Sequence, residues 1–590
     1  MNYNLNQLSA QQQKTSTLKA LNKLLQLISE ERKNLYFALL AILTNSGLNL
    51  LGPFIIGITI NHYVAPKPPA LPDYNGVLMF AGILLLMYVV AFFASYLQTM
   101  TMGGIGQRML FKLRNSIFIK LQQLPVAFFN DNKAGDLISR VNNDTDKINQ
   151  FFSQSLMQFI GTLATMTGAG IFLLVINIKL GLATLAPGLL IFIFTKLTSA
   201  WVKKKNAVNL KSTGGLSAEI QESLHNFKVI IAFNRRDYFR KRFDQANKTN
   251  YGSAIGAGLA NNIFLPVYGL FASAAQLIVL LYGVHLITTG EFNIGYLVAY
   301  FAYATNFYNP LRQLAALWAG FQVAMAGWDR ISVILSLESN LPVVKDNKGS
   351  KNAPLLAFNN VHFGYTNTEI LHNISFDLER GKTYALVGPT GGGKTTTASL
   401  IARLYDPVQG TVMLNGKDMR SYSPEERTEK IGFILQEPFL FSGTVKDNIL
   451  YANNKYKDYT NEQLEEVIRE SGLESILSIF DKGLDTPVAS SGDVISLGQK
   501  QLIAFMRAVL RNPDLLILDE ATANIDTMTE QILEDILNKL PETTTRVIIA
   551  HRLNTIQNAD EIFFVNAGEV KRAGSLEHAV NMLLHGKRAS

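Results

Sequence analysis

Long apolar runs fill the first half of the chain, and shorter alternating stretches fill the second. A helix rising 1.5 Å per residue needs about 20 apolar residues to cross a hydrocarbon core of about 30 Å. Six runs reach that length, at 35–60, 77–102, 156–176, 180–202, 264–287 and 294–323. The fourth carries Pro187 and Lys196, and the sixth carries Pro310 and Arg312. A bundle tolerates such punctuation because neighbouring helices and water take up the freed carbonyls. A charge such as Lys196 within a span can mark a transport pathway, but it lies near the cytoplasmic end of its run, where a lysine can snorkel to the headgroups. Past about residue 355 the alternation of short strands with helical stretches predicts a soluble α/β domain.

The connections between the runs alternate in length. Those at 65–72, 177–179 and 288–293 are short, and those after the second and fourth runs extend over roughly 50–60 residues. The long ones carry nearly all the basic residues, among them Arg108, Lys112, Arg114 and Arg140 in one, and Lys203, Lys204, Lys205, Arg235, Arg236 and Arg242 in the other. The short ones carry only Lys67 and Lys179. The positive-inside rule then places the long connections and both termini in the cytoplasm. Apolar residues at helical spacing over 105–122 and 215–232 predict that the spans continue outward as long helices. The stretch 18–28 is amphipathic and too short to span, which predicts an elbow lying along the inner surface. A signal peptide would need a compact apolar core and a small-residue cleavage site near the start, and neither is present.

Within the sixth run, Tyr300, Tyr303, Asn306, Phe307, Tyr308, Asn309 and Gln313 make a face too polar for lipid. Helix packing and the lining of a substrate path both account for it.

Composition sharpens this picture. The hydrophobic fraction is 48% and the charged fraction 17%, against about 25% charged in soluble domains. That excludes disorder. The absence of cysteine excludes a disulfide scaffold, thiolate-held zinc or iron–sulfur, and a cysteine nucleophile. A net charge of +8 could point to nucleic acid. Here the basic residues follow the connections and six spans rule out a soluble DNA enzyme, so no nucleic-acid partner is expected.

The soluble half carries phosphate chemistry. A strand over 384–387 leads into Gly388, Pro389, Thr390, Gly391, Gly392, Gly393, Lys394 and Thr395, and Thr396 opens a helix. This is G-x-x-x-x-G-K-[ST] in its required strand-to-helix setting. Glycines let successive N–H groups turn inward around an anion, and the helix N-terminus adds partial positive charge. Lys394 is placed to reach the β- and γ-phosphates, and the Thr395 hydroxyl to ligate Mg²⁺. Far downstream, an apolar strand at 515–518 ends in Asp519 and Glu520. Asp519 is placed to hold magnesium through water and Glu520 to polarise an attacking water. A nucleotide with Mg²⁺ is therefore the expected ligand.

With these motifs in order, the chain resembles an ABC exporter half-transporter of the multidrug type over nearly its whole length. Gln436, in Ile434-Leu-Gln-Glu-Pro438, resembles the Q-loop glutamine that touches magnesium. Ser496, Leu497, Gly498 and Gln499 resemble the signature that completes a partner's ATP site in trans. Residues 523–526 resemble the D-loop, His551 the switch histidine that contacts the γ-phosphate, and Tyr365 the aromatic that stacks on adenine. Alone, Tyr365 could be an exposed strand aromatic and His551 a satisfied surface histidine. Leu124-Pro-Val-Ala-Phe-Phe129 with Gly135-Asp-Leu-Ile-Ser-Arg140 resembles the first cytoplasmic connector of these exporters, which implies coupling helices near 133–146 and 214–226 that cross to a partner chain.

The resemblance implies an all-α six-helix transmembrane domain plus an α/β P-loop nucleotide-binding domain of ABC type. The implied division is an N-terminal tail and elbow at 1–33, a transmembrane domain at 34–336, a linker at 337–355 and a nucleotide-binding domain at 356–590. It implies an ATP hydrolase driving export by alternating access in the cytoplasmic membrane, as one half of a dimer. The cargo stays open among amphipathic drugs, lipids and peptides.

The signature departs from Leu-Ser-Gly-Gly-Gln, because Leu497 stands where the family has its first glycine. Val488 is followed by Ala489 and Ser490 rather than Gly-Glu, and the D-loop reads Ala-Asn-Ile-Asp. A bulky Leu497 would crowd the backbone approach to a γ-phosphate. That favours a heterodimer with one impaired ATP site over a homodimeric lipid or drug flippase. An ATP-gated regulatory membrane protein is the more distant alternative.

Overall fold

The computed structural model describes residues 3–5, 7–8, 31–66, 71–339, 341–345, 353–365, 368–489, 495–519, 527–549 and 557–585. The chain divides into two compact units. One comprises Leu5–Gln122 and Ala134–Ser336, and the other Met1–Asn4, Gln123–Lys133 and Leu337–Ser590.

The first unit is helical. Its long helices are α1 (Arg32–Thr59) and α2 (Tyr74–Gln123), and α2 is followed, in the second unit, by the short α3 (Val126–Asp131). Then come α4 (Leu156–Ile176), α5 (Ile178–His225), a short α6 (Phe227–Ala232), α7 (Arg236–Asn262), α8 (Phe264–Thr288) and α9 (Ile294–Ser336). Among the described residues, five helical stretches are long and apolar enough to cross a membrane: Arg32–Val64, Tyr74–Gln123, Ala134–Ile176, Ile178–His225 and Arg236–Thr288. The expected sixth run falls within α9, which is helical over 43 residues but carries the polar face noted above. The predicted elbow at 18–28 lies outside the described residues.

The α9 tyrosines resolve that polar face toward packing. Tyr300, Tyr303 and Tyr308 are buried, and each hydroxyl donates to a backbone carbonyl: Tyr300 to Leu173 and Asn177, Tyr303 to Leu50 and Tyr308 to Thr184. Leu50 and Thr184 each lie three residues before a proline inside a helix, Pro53 and Pro187. A proline donates no N–H and crowds the preceding turn, so Tyr303 and Tyr308 bond backbone carbonyls in the turn that each proline crowds.

The two long connections carry short helices. In the first, α3 lies just ahead of 133–146, and further short helical stretches cover Ala134–Ser139 and Thr145–Gln150. Pro125 stands at the N-cap of α3 in extended conformation, and Asn132 closes the helix by donating Nδ2 to the Phe128 carbonyl at 2.7 Å. The second reverses at α6, because α5 runs on through 214–225. There Asn226 turns its own amide onto the Glu222 carbonyl, and Asn234 takes a left-handed φ of 50°, a conformation asparagine tolerates well. Arg242 of α7 then reaches Glu219 at 2.6 Å and Glu222 at 3.1 Å on α5, which holds its guanidinium pKa above the usual value.

The second unit carries the strands β1 (Leu356–Phe363), β2 (Leu371–Leu378), β3 (Thr383–Val387), β4 (Gln409–Leu414), β5 (Lys417–Asp418), β6 (Ile431–Ile434), β7 (Gly443–Thr444), β8 (Pro487–Val488), β9 (Leu515–Asp519), β10 (Thr545–Ile549), β11 (Glu561–Asn566) and β12 (Glu569–Arg572). An antiparallel sheet runs β2-β1-β4-β5 and a mainly parallel one β12-β11-β3-β10-β9-β6. β3 and β9 are buried at every position, as parallel strands covered on both faces must be. β1 and β2 alternate buried with solvated positions, as one-faced antiparallel strands do.

Candidate functional site

The loop after β3 and the strand β9 build the centre of the site. β3 lies between β10 and β11, and in register Ile549 stands opposite both Leu386 and Asp519. The P-loop and Asp519 therefore emerge at the same, carboxyl edge of the parallel strands, the edge at which open α/β sheets bind ligands. Two glycines are required sterically. Gly388 has φ +147° and a side chain there would strike the Val565 carbonyl; Gly393 has φ +114° and would strike Leu371.

Lys394 opens α10 (Lys394–Ile401) and is buried. Its ammonium folds back over the loop, donating to the Gly388 carbonyl at 2.8 Å and the Pro389 carbonyl at 3.1 Å. The Thr395 hydroxyl points to Asp519 Oδ1 at 3.4 Å. Among the described residues there is no cluster of three or more His, Asp or Glu that could hold a metal. Magnesium commonly takes one or two carboxylates and completes its shell with water and substrate phosphates. A hydroxyl facing one buried carboxylate is a donor set that fits it.

Tyr365 follows β1 and is half-exposed. Its ring stands edge-on to Phe363 at 5.1 Å and to Tyr405 at 5.0 Å, and its hydroxyl donates to Thr396 Oγ1 at 3.3 Å. The aromatic is thus fixed beside the first turn of α10. Stacking of Tyr365 on adenine, the expectation from the resemblance, predicts that Tyr365→Ala weakens ATP binding about tenfold or more, base stacking being worth about 1–3 kcal/mol, read by fluorescent-nucleotide titration, while Tyr365→Trp retains it.

Gln436 lies two residues beyond β6, and its carbonyl accepts from Gln501 Nε2 at 2.9 Å. Gln501 belongs to α11 (Leu497–Val509). Ser496 caps α11: its hydroxyl accepts from the Gln499 N–H at 3.1 Å, and the Gln499 side chain accepts from the Ser496 N–H at 2.9 Å. This reciprocal box engages both side chains within the chain and leaves Leu497 half-exposed on the first turn. Glu520, His551 and 523–526 lie outside the described residues.

Sequence reasoning passed over Tyr405 and Asn130. The Asn130 Nδ2 of α3 donates to the Tyr405 hydroxyl at 2.7 Å, and burial pushes the Tyr405 pKa up. No local pattern marks either residue, since their partners are 275 positions apart. Arg403 was also passed over. It is buried, pairs with Asp406 at 3.0 Å and donates to the Pro342 carbonyl at 2.7 Å.

The chain matches two families of known proteins. Residues 35–311 match the family described as ABC transporter transmembrane region, and residues 371–523 the one described as ABC transporter. The chain is 32% identical over 562 residues to the ABC transporter ATP-binding protein YfiC of Bacillus subtilis, covering 94% of this chain and 91% of that one. It is 30% identical over 504 residues to a fatty acid ABC transporter ATP-binding/permease protein of Mycobacterium bovis, covering 85% and 79%. It is 28% identical over 522 residues to YheH of Bacillus subtilis, named as a probable multidrug resistance ABC transporter ATP-binding/permease protein, covering 88% and 76%.

Proposed function

We propose, starting from the fact that this chain belongs to the ABC transporter family as an exporter half-transporter, a specific division of labour among its residues. It is a multi-pass membrane protein that couples ATP hydrolysis to export. The observation that carries the assignment of the site is Thr395 facing the buried Asp519 beside Lys394 at one sheet edge.

In the proposed reaction, the P-loop N–H groups from Gly388 to Thr396 and Lys394 hold the phosphates, with Tyr365 on the adenine. Thr395, Asp519 and Gln436 would hold magnesium, which when bound offsets charge on the β- and γ-phosphates. Glu520 orients the water that attacks the γ-phosphorus; the bond to the bridging oxygen breaks and ADP leaves. His551 contacts the γ-phosphate and favours the closed dimer. ATP drives the cycle only through its different affinity for the two states.

The dimer is proposed to be a heterodimer, because Leu497 occupies the turn that a partner's γ-phosphate would approach. The six spans include α9, the membrane is the cytoplasmic one, and both termini face the cytoplasm, as the basic connections favour. The fatty-acid and multidrug names of the relatives support a hydrophobic or amphipathic cargo.

The test is the mass of the purified chain in nanodiscs with its magnesium-dependent ATP hydrolysis. A chain inert alone and active with a second half-transporter bearing Leu-Ser-Gly-Gly-Gln supports the heterodimer. A dimer of this chain alone that hydrolyses ATP through Glu520 supports the homodimeric flippase instead. Leu497→Gly is expected to raise hydrolysis at the site this signature completes by about tenfold, equivalent to about 1.4 kcal/mol of barrier.

A further inference from the structure

Tyr3 is 1% exposed. Its ring stands edge-on to Phe128 of α3, with centroids 6.3 Å apart, and Phe128 is itself fully buried. Asn132, which closes α3, donates Nδ2 to the Tyr3 carbonyl at 2.9 Å as well as to the Phe128 carbonyl. On its other side the Tyr3 hydroxyl donates to the Glu338 carbonyl at 2.9 Å. Glu338 lies two residues past the end of α9, in the segment leading to β1. That segment is pinned further on by Arg403 at the Pro342 carbonyl and by the Val344 N–H on the Arg420 carbonyl at 3.2 Å.

Tyr3 therefore touches two segments far apart in sequence, by ring, carbonyl and hydroxyl at once. A buried tyrosine removes a large apolar area from water while its hydroxyl demands a partner. The two requirements together fix both position and orientation. The other side of α3 is already held, through Asn130, by Tyr405, whose ring abuts Tyr365.

We propose that Tyr3 is the pin of an N-terminal strap that fastens α3 of the first cytoplasmic connection to the linker entering the ATP-binding sheets. The strap keeps α3 seated, so that a nucleotide-dependent shift of the Tyr365–Tyr405 pair is carried to the connection instead of being lost in a loose α3. The role in coupling rests on the ATP-driven reading; the strap itself does not. Transmission of this kind requires an element that both sites bias, and α3 with its two anchors is that element.

The test is amide hydrogen exchange on the full-length chain, as its dimer in nanodiscs, for the unmutated protein, Tyr3→Ala and Tyr3→Phe. Without nucleotide, Tyr3→Ala is expected to speed exchange over 126–132 about tenfold or more, as loss of a local anchor does, and to leave 394–401 unchanged. Tyr3→Phe keeps the ring and the Asn132 contact, so it is expected to loosen 337–344 and spare 126–132. Unchanged exchange over 126–132 in Tyr3→Ala overturns the strap, as does an equal rise throughout the unit. With ATP and magnesium, protection that the unmutated chain gains over 126–132 is expected to vanish in Tyr3→Ala; if Tyr3→Ala retains it, the role in coupling is overturned. An unmutated chain that shows no nucleotide-dependent protection anywhere refutes the ATP-driven reading and with it that role, while the nucleotide-free arm still decides the strap.

Discussion

Replacing Lys394 with alanine is expected to lower magnesium-dependent ATP hydrolysis at least about a hundredfold, the scale on which removing one preorganised charge-stabilising donor acts. The side chain is buried and its ammonium bonds the Gly388 and Pro389 carbonyls. Its donors are thus already directed over the loop that the phosphates would occupy. Two carbonyls at a loop edge find water when the donor is lost, so the fold is expected to survive, and an unchanged elution profile separates loss of chemistry from loss of structure. Asp519→Asn is expected to act on the same scale while raising the magnesium concentration needed for half-maximal rate. Asp519 keeps its position in β9 through its backbone pairing with Ile549, so the defect should lie in the charge alone.

The second large effect lies in the helical unit. Arg140 is fully buried, with Nε 2.9 Å from Asp136 and Nη1 donating to the Arg330 carbonyl at 2.7 Å. Arg330 in turn contacts Asp136 and stands 2.9 Å from Asp144. That last contact is ionic; among the described residues Asp144 Oδ2 accepts no hydrogen bond. Lys147 pairs with the other Asp144 oxygen at 2.9 Å. The network ties the turns after α3 to the end of α9. Arg140→Met removes one of two cationic partners of Asp136, whose side chain is 32% exposed, so the loss is expected to fall below the about 3–5 kcal/mol of a fully buried pair. The unfolding temperature of the detergent-solubilised chain is expected to fall by several degrees. Arg140→Met with Asp136→Asn is expected to cost less than the sum of the single changes, as charges sharing one network do. Strictly additive losses would mean that the two side chains do not act as a pair.

These two regions differ in how far the sequence discloses them. The P-loop is legible because its chemistry is local: glycines, a lysine and a threonine must lie in one strand-to-helix turn, and only glycine fits the φ of Gly388 and Gly393. Asp519 is legible for the same reason, as a carboxylate ending a wholly apolar strand. The extent of α2 and α5 follows from their apolar periodicity. The ends of the short helices α3 and α6 do not, because they are set by single residues: Pro125 and Asn132 bound α3, and Asn226 separates α6 from α5. The polar face of α9 is ambiguous in sequence because a tyrosine that serves a carbonyl beside Pro53 or Pro187 reads the same as one that faces cargo. The pairing of Tyr3 with Glu338, and of Asn130 with Tyr405, joins residues hundreds of positions apart and leaves no periodic trace.

The most direct test of an ATP-driven cycle on this chain is magnesium-dependent ATP hydrolysis by the purified protein with its dimer partner, unmutated and as Glu520→Gln. The account predicts a magnesium-dependent rate that falls at least about a hundredfold in Glu520→Gln, the size of effect when a group positioning the attacking water is lost, with ATP binding retained. A rate that persists in Glu520→Gln, or one indifferent to magnesium, would contradict it.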